Sequence, residues 1–196
     1  SFNYYKKNGG LLSFEEFMLS LRKTCGVSGN RLGDCGKQYG WLWKYQDKYI
    51  KGGYVTHEQG YVYYTDKIDQ VKNLINTLVN SPESRRHIIS AWNPATLDEM
   101  ALPACHSFVQ FNCRPLEVVC DDLGMTPKYR LDCKFTMRSS DAFLGLPYNI
   151  ASYGLLVHIF CRICNMVPGD LVADLGDVHI YEDHLDAVEE QLKREP

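Results

Sequence analysis

Residues 131 to 138 alternate without interruption: Leu131, Cys133, Phe135 and Met137 are apolar, while Asp132, Lys134, Thr136 and Arg138 between them are polar or charged. Successive side chains on a β-strand point to opposite faces, so this stretch reads as a strand with one apolar and one polar side, and Arg138 points away from Met137. Strand character recurs at His87 to Trp92, Ser107 to Cys113 and Leu171 to Tyr181. Between the strands lie helical patterns. Ile68, Val71, Leu74, Ile75, Leu78 and Val79 share one stripe that stops at Asn80-Ser81-Pro82, and its apolar face is expected to pack on a sheet. A long, mostly apolar helix is predicted from Ile150 to Met166, followed by a turn at Pro168-Gly169-Asp170. A last helix, His184 to Arg194, is expected to turn Leu185, Val188 and Leu192 inward. Nearer the start, Ser13-Phe14-Glu15-Glu16 opens a predicted helix through Arg22, a loop runs from Gly26 to Gly36, and Gly52-Gly53 reads as a turn. The expected fold class is α+β, with helices packed on a large mixed sheet.

At 196 residues with 45% hydrophobic content, the chain can bury a full core, and a single domain over residues 1–196 is expected. A net charge of -3 offers no broad attraction to nucleic acid or anionic membrane, so no DNA partner is expected and an anionic ligand needs a local arginine cluster. The sequence has no bilayer-spanning run, and Ser1 to Lys7 is not a signal peptide, so a cytoplasmic location is expected. The eight cysteines are scattered among apolar neighbours and read mostly as small buried hydrophobes. Cys161-Arg162-Ile163-Cys164 has metal-knuckle spacing but lies in an apolar helical stretch without a second pair, so no metal site is expected.

Cys105 stands out in Met100-Ala101-Leu102-Pro103-Ala104-Cys105-His106. A thiol acts as a nucleophile in its thiolate form, which a nearby guanidinium favours. With Arg85-Arg86 and with Arg138-Ser139 at a strand end, the residue types suggest covalent attack on a phosphate-bearing substrate, since paired guanidiniums and a hydroxyl match phosphate oxygens. Neighbours on a strand point to opposite faces, which counts against a simple Cys105-His106 dyad.

Longer motifs sharpen this. Ser84 to Pro94 (Ser-Arg-Arg-His-Ile-Ile-Ser-Ala-Trp-Asn-Pro), Met100 to His106, Gln110-Phe111, Arg138-Ser139-Ser140-Asp141, Leu144 to Tyr153 (Leu-Gly-Leu-Pro-Tyr-Asn-Ile-Ala-Ser-Tyr) and Gly176 to Tyr181 (Gly-Asp-Val-His-Ile-Tyr) together resemble the thymidylate synthase family. The match spans most of residues 65 to 196 in order, while residues 1–64 are divergent. The resemblance implies that Cys105 adds to C6 of dUMP, making C5 a nucleophile toward the methylene of 5,10-methylenetetrahydrofolate, the reduced folate co-substrate. It implies that Asn149 reads uracil O4 and N3, and that Arg138 and Ser139 hold the phosphate, with Arg138 also favouring the Cys105 thiolate. Arg85 and Arg86 would serve the neighbouring subunit of a homodimer. His179 and Tyr181 would contact the deoxyribose hydroxyl, Asp141 the pterin, and Gln110 would lie near the nucleotide. Tyr39 and His106 would belong to a polar network around the pyrimidine.

The chain departs from the family pattern in three ways. The arginine loop and glutamate-bearing helix that usually come earlier are not recognisable, nor are the strands and tail that usually follow Arg194-Glu195-Pro196, so the chain reads as a fragment or shortened relative; Glu15 and Glu16 are not assigned the glutamate's role. The tryptophan-rich stretch that usually precedes Tyr39-Gly40 is absent, although Trp41 and Trp43 follow. Position 137 is Met where synthases typically have Gln, which resembles the related nucleotide hydroxymethylases or simply places Met137 in the core. Thymidylate synthesis is the main expectation, with a dUMP hydroxymethylase as the alternative and dCMP the less favoured substrate. A non-catalytic nucleotide- or RNA-binding dimer is the reading from another class.

Overall fold

A computed structural model describes residue 13 and residues 36–56, 60–117 and 126–194. The helix expected to begin at Ser13, with Glu15 and Glu16, and nearly all of the loop before Gly36 lie outside these residues, as do Cys25, Cys35 and Cys120. The described elements are α1 (Tyr39–Lys44), β1 (Gln46–Thr56), β2 (Gly60–Ile68), α2 (Gln70–Asn80), β3 (Ile88–Ser90), β4 (His106–Pro115), β5 (Tyr129–Asp141), α3 (Gly145–Cys164), β6 (Val167–His179) and α4 (Leu185–Leu192). Strands β3-β4-β5-β6 form one sheet, antiparallel except for the parallel pair β5 and β6, and β1 and β2 form a separate antiparallel hairpin. This is the expected α+β arrangement of helices on a mixed sheet.

The alternation of β5 sets the layering. Leu131, Cys133, Phe135 and Met137 are buried against Val109, Phe111 and Cys113 of β4 and against Leu74, Leu78, Tyr153, Val157, Phe160 and Cys161 from α2 and α3. Fully burying each such side chain contributes about 1.5–3 kcal/mol. Helix α2 starts two residues later than the apolar pattern suggested. Ile68 ends β2, and the Asp69 carboxylate accepts from the Lys72 backbone N–H at 2.9 Å to cap the helix. Val79 at its far end is 54% exposed and does not join the core.

Three local expectations are corrected. Gly52-Gly53 does not turn the chain: both residues lie within β1, where the pairing register shifts between Lys51 and Tyr54, and the pairing with β2 continues to Thr56 opposite Gly60. Pro168-Gly169-Asp170 belongs to β6, which among the described residues pairs only with β5 and so tolerates a proline. Gly169 is needed there for space, because a Cβ would sit 2.1 Å from Asp132 Oδ1. That carboxylate accepts from the Asp170 N–H at 2.8 Å and pairs with Arg114 and Arg130. Finally, α4 does not bury its apolar stripe. Leu185 is 50% and Leu192 80% exposed, and the helix borders an open cleft of about 450 Å³ shared with Phe143, Leu144 and Tyr148.

Among the described residues no helix is long and apolar enough to cross a membrane.

Candidate active site

A second apolar cluster, Leu42, Ala91, Met100 and Ala104, lies beneath the segment leading to Cys105, with Tyr39, Trp41, Trp43 and Leu97 packed around it. The Gln70 amide ties this region to the sheet. Its amide nitrogen, Nε2, donates to the carbonyls of Leu42 and Ser90, both at 2.8 Å, while its oxygen accepts from the Ser90 N–H at 3.0 Å. Helix α1 is thereby held where Tyr39 reaches the start of β4.

The Tyr39 hydroxyl oxygen accepts from the backbone N–H groups of Cys105, at 2.9 Å, and His106, at 3.1 Å. One phenol thus fixes the turn that carries the thiol. Burial raises the Tyr39 pKa, opposed by these backbone donors and by Arg138, and assisted by Cys105. Cys105 is half-buried at the core's margin. From the other side of the sheet, Arg138 Nε donates to the Ala104 carbonyl at 3.1 Å and a terminal guanidinium nitrogen donates to the Pro103 carbonyl at 2.8 Å. Its backbone N–H donates to the Cys105 carbonyl at 2.9 Å. The segment that carries the thiol and the Arg138 guanidinium therefore meet at one end of the sheet.

His106 enters β4 at a register shift, paired with Met137, which places its ring on the helix side. Its Nδ1 lies 3.1 Å from the Tyr153 hydroxyl and its Nε2 lies 3.1 Å from Asn149 Nδ2. Asn149 and Tyr153, one helical turn apart on α3, thus grip the same imidazole. Burial lowers the His106 pKa, favouring the neutral ring. Beside it, Tyr39, Trp43, Ser152, Tyr153 and Leu156 line a largely apolar cavity of about 260 Å³.

The ends of β5 and β6 add further groups. Ser139 pairs with Asp177 and Asp141 with His179 in the parallel register. The Asp141 carboxylate accepts from the backbone N–H groups of Phe143, Leu144 and Gly145 at 3.1, 3.1 and 3.2 Å, so it organises the turn into α3. The rings of His179 and Tyr181 meet edge to face at 4.8 Å. Gly176 allows this close passage of β6, since a Cβ there would lie 2.7 Å from the Arg138 carbonyl oxygen.

Cys105, His106, Tyr39, Asn149 and Arg138 are therefore brought together, with Ser139, Asp141, His179 and Tyr181 at the same strand ends. Arg85 and Gln110 are placed elsewhere. They line a polar cleft of about 250 Å³ on the open face of the sheet, with Asn112, Arg114, Lys134 and Asp170. Arg86 is exposed nearby in sequence. Burial raises the thiol pKa of Cys113 and Cys161 to about 11 and of Cys133 to about 12, and it also raises that of Cys164. Among the described residues no group of three histidine, cysteine or acidic side chains could hold a metal ion. Sequence reasoning missed Gln70 and Tyr153. Tyr153 was accessible to it, because it stands four residues after Asn149 in a predicted helix.

Comparison with known proteins agrees with this architecture. The family model described as thymidylate synthase matches residues 11–196. A thymidylate synthase from Saccharomyces cerevisiae is 42% identical over 172 residues, 87% of this chain and 53% of the relative. A probable thymidylate synthase from Escherichia phage T5 is 46% identical over 161 residues, 80% of this chain and 53% of the relative. A thymidylate synthase from Staphylococcus haemolyticus is 42% identical over 164 residues, 84% of this chain and 43% of the relative. The chain spans about half the length of these relatives. On the extent of the family match and the level of identity, the chain belongs to the thymidylate synthase family.

Proposed function

We propose that this chain carries the nucleotide-reacting centre for one-carbon transfer to C5 of dUMP, giving dTMP. The observation that carries the reading is the meeting of the Cys105 segment with Arg138 at one end of the sheet and with the His106-Asn149 pair from α3. In this reading the Cys105 sulfur forms a bond to C6, and the electron pair of the C5=C6 bond moves toward C5 and O4. Asn149 donates to O4 and accepts from N3–H, stabilising the charge that develops at O4. Tyr39 holds the attacking residue by its backbone. Arg138 and Ser139 face the phosphate, and His179 and Tyr181 the sugar hydroxyl.

The one-carbon unit would come from 5,10-methylenetetrahydrofolate, which supplies the carbon and, in the synthase outcome, the hydride, with C5 as the acceptor. For the folate the chain offers exposed Leu144 and Tyr148 at the start of α3, beside Asn149, as apolar surface for a flat ring. Asp141 would contact its pterin.

Arg85 and Arg86 are proposed to act on a partner subunit's phosphate in a homodimer. The cleft that Arg85 lines shares no residue with the surroundings of Cys105, which suits supply to another chain. Met137, buried in the core with 3% exposure, adds no group to the site and gives no support to a hydroxymethylated product.

The test is product analysis with dUMP and methylenetetrahydrofolate. Dihydrofolate in step with dTMP is expected. Tetrahydrofolate with 5-hydroxymethyl-dUMP would contradict the synthase assignment while leaving the Cys105 step intact.

A further inference from the structure

The polar chain Tyr153–His106–Asn149 runs from the core to the face of the site. A neutral imidazole has one nitrogen that donates and one that accepts, so its two neighbours are not independent. Two proton arrangements are self-consistent. In the first, His106 Nδ1–H donates to the Tyr153 hydroxyl oxygen, and Nε2 accepts from Asn149 Nδ2–H. In the second, the Tyr153 O–H donates to Nδ1, and Nε2–H donates to the Asn149 amide oxygen, which requires the amide to be turned over. The structure holds Asn149 with Nδ2 toward Nε2 at 3.1 Å, and so has the first arrangement.

The choice has a chemical consequence. With one N–H committed to His106, Asn149 presents its second N–H and its carbonyl oxygen to a ligand. Uracil offers O4, an acceptor, beside N3–H, a donor, and matches that pair. Cytosine offers a 4-amino donor beside a bare N3 acceptor, and matches the turned-over amide.

We infer that Tyr153 is a positioning residue for base selection: by accepting a hydrogen bond from His106 it keeps the imidazole in the Nδ1–H form and holds Asn149 in the orientation that reads uracil. This deepens, and rests on, the assignment of dUMP as substrate. The phenol is built to stay in place. Tyr153 is 3% exposed and its ring stacks on Phe135 at 4.2 Å and 10°. Burial raises its pKa, with Cys133 and Tyr39 acting in the same direction, so it remains protonated. Without the hydroxyl, the first arrangement leaves a half-buried N–H without its protein acceptor, whereas the second leaves only a bare lone pair. An orphaned donor in a half-buried site is the less tolerated of the two, so the balance moves to the Nε2–H form and the turned-over amide.

Tyr153→Phe keeps the ring and its stack while removing the hydroxyl. Heteronuclear NMR of the imidazole nitrogens reads the tautomer directly on the 196-residue chain. The Nδ1–H form is expected in the original protein and a shift toward Nε2–H in Tyr153→Phe. Titration with dUMP and with dCMP should show the preference for dUMP falling at least about tenfold in Tyr153→Phe, equivalent to about 1.4 kcal/mol. An Nε2–H tautomer in the original protein overturns the inference. So does an original protein that prefers dUMP and a Tyr153→Phe protein with the same preference. An original protein that binds neither nucleotide contradicts the substrate assignment itself, and a Tyr153→Phe protein that binds neither is judged by its tautomer.

Discussion

At the residue scale, the site is a set of short contacts that convert a loop into a fixed geometry. Tyr39 holds the backbone of Cys105 and His106, Arg138 holds the carbonyls of Pro103 and Ala104, and His106 links Tyr153 to Asn149. Because burial lowers the His106 pKa below its ordinary 6.5, the unfolded chain takes up that proton first as the pH falls. The stability that depends on neutral His106 is therefore full above about pH 6.5 and declines below it. Thermal melting at about pH 7.5 and about pH 5.5 should show this loss, and His106→Gln should reduce it; an equal loss in both proteins would mean that other groups govern the acid limb. The residues that cluster in the candidate site were named from the sequence, since the motifs around Cys105, Arg138, Asn149 and His179 carried a resemblance of high specificity. The partners were not. Which nitrogen of His106 meets which side chain depends on the angle between α3 and β4, and no local pattern encodes that angle.

At the element scale, the alternation of β5 and the middle of the α2 stripe, Val71 to Leu78, were read correctly because each follows from a single repeat period, whereas Ile68 and Val79 at the ends of that stripe were not. The failures lie where the period is broken. Gly52-Gly53 and Pro168-Gly169-Asp170 are turn formers by composition, yet the first pair falls at a register shift in a hairpin and the second run lies on an edge strand. Pairing with a neighbouring strand overrode local preference in both. The stripe of α4 was misjudged for a related reason: amphipathicity shows that a face is apolar but not what covers it. Two predictions belong here. Phe135→Ala, which empties a fully buried ring position beneath Tyr153, should cost about 3–5 kcal/mol in denaturant unfolding. Gln70→Ala leaves the Ser90 N–H and the Leu42 carbonyl without their side-chain partner and should cost about 1–3 kcal/mol. Because Gln70 also anchors α1, the same variant should weaken nucleotide binding more than a surface change such as Lys72→Ala; equal binding would separate the anchor from the site.

At the scale of the whole molecule, the sheet divides the chemistry between its two faces. The helix side carries His106, Asn149 and the cavity beside them, while the open face carries Arg85, Gln110 and a charged cleft. A homodimer that shares arginines across subunits makes a specific demand. Mixing an inactive Arg85→Ala, Arg86→Ala protein with an inactive Cys105→Ser protein should restore part of the activity, since one site of each heterodimer has every required group. Verified heterodimers without recovered activity would place the arginines in their own subunit's site or outside phosphate binding. The central claim concerns Cys105, and mass spectrometry tests it most directly. Incubation with 5-fluoro-dUMP and methylenetetrahydrofolate should leave a covalent adduct on the peptide containing Cys105. That adduct should be absent from Cys105→Ser and retained in Cys161→Ser and Cys164→Ser. An undiminished adduct in Cys105→Ser would contradict the account.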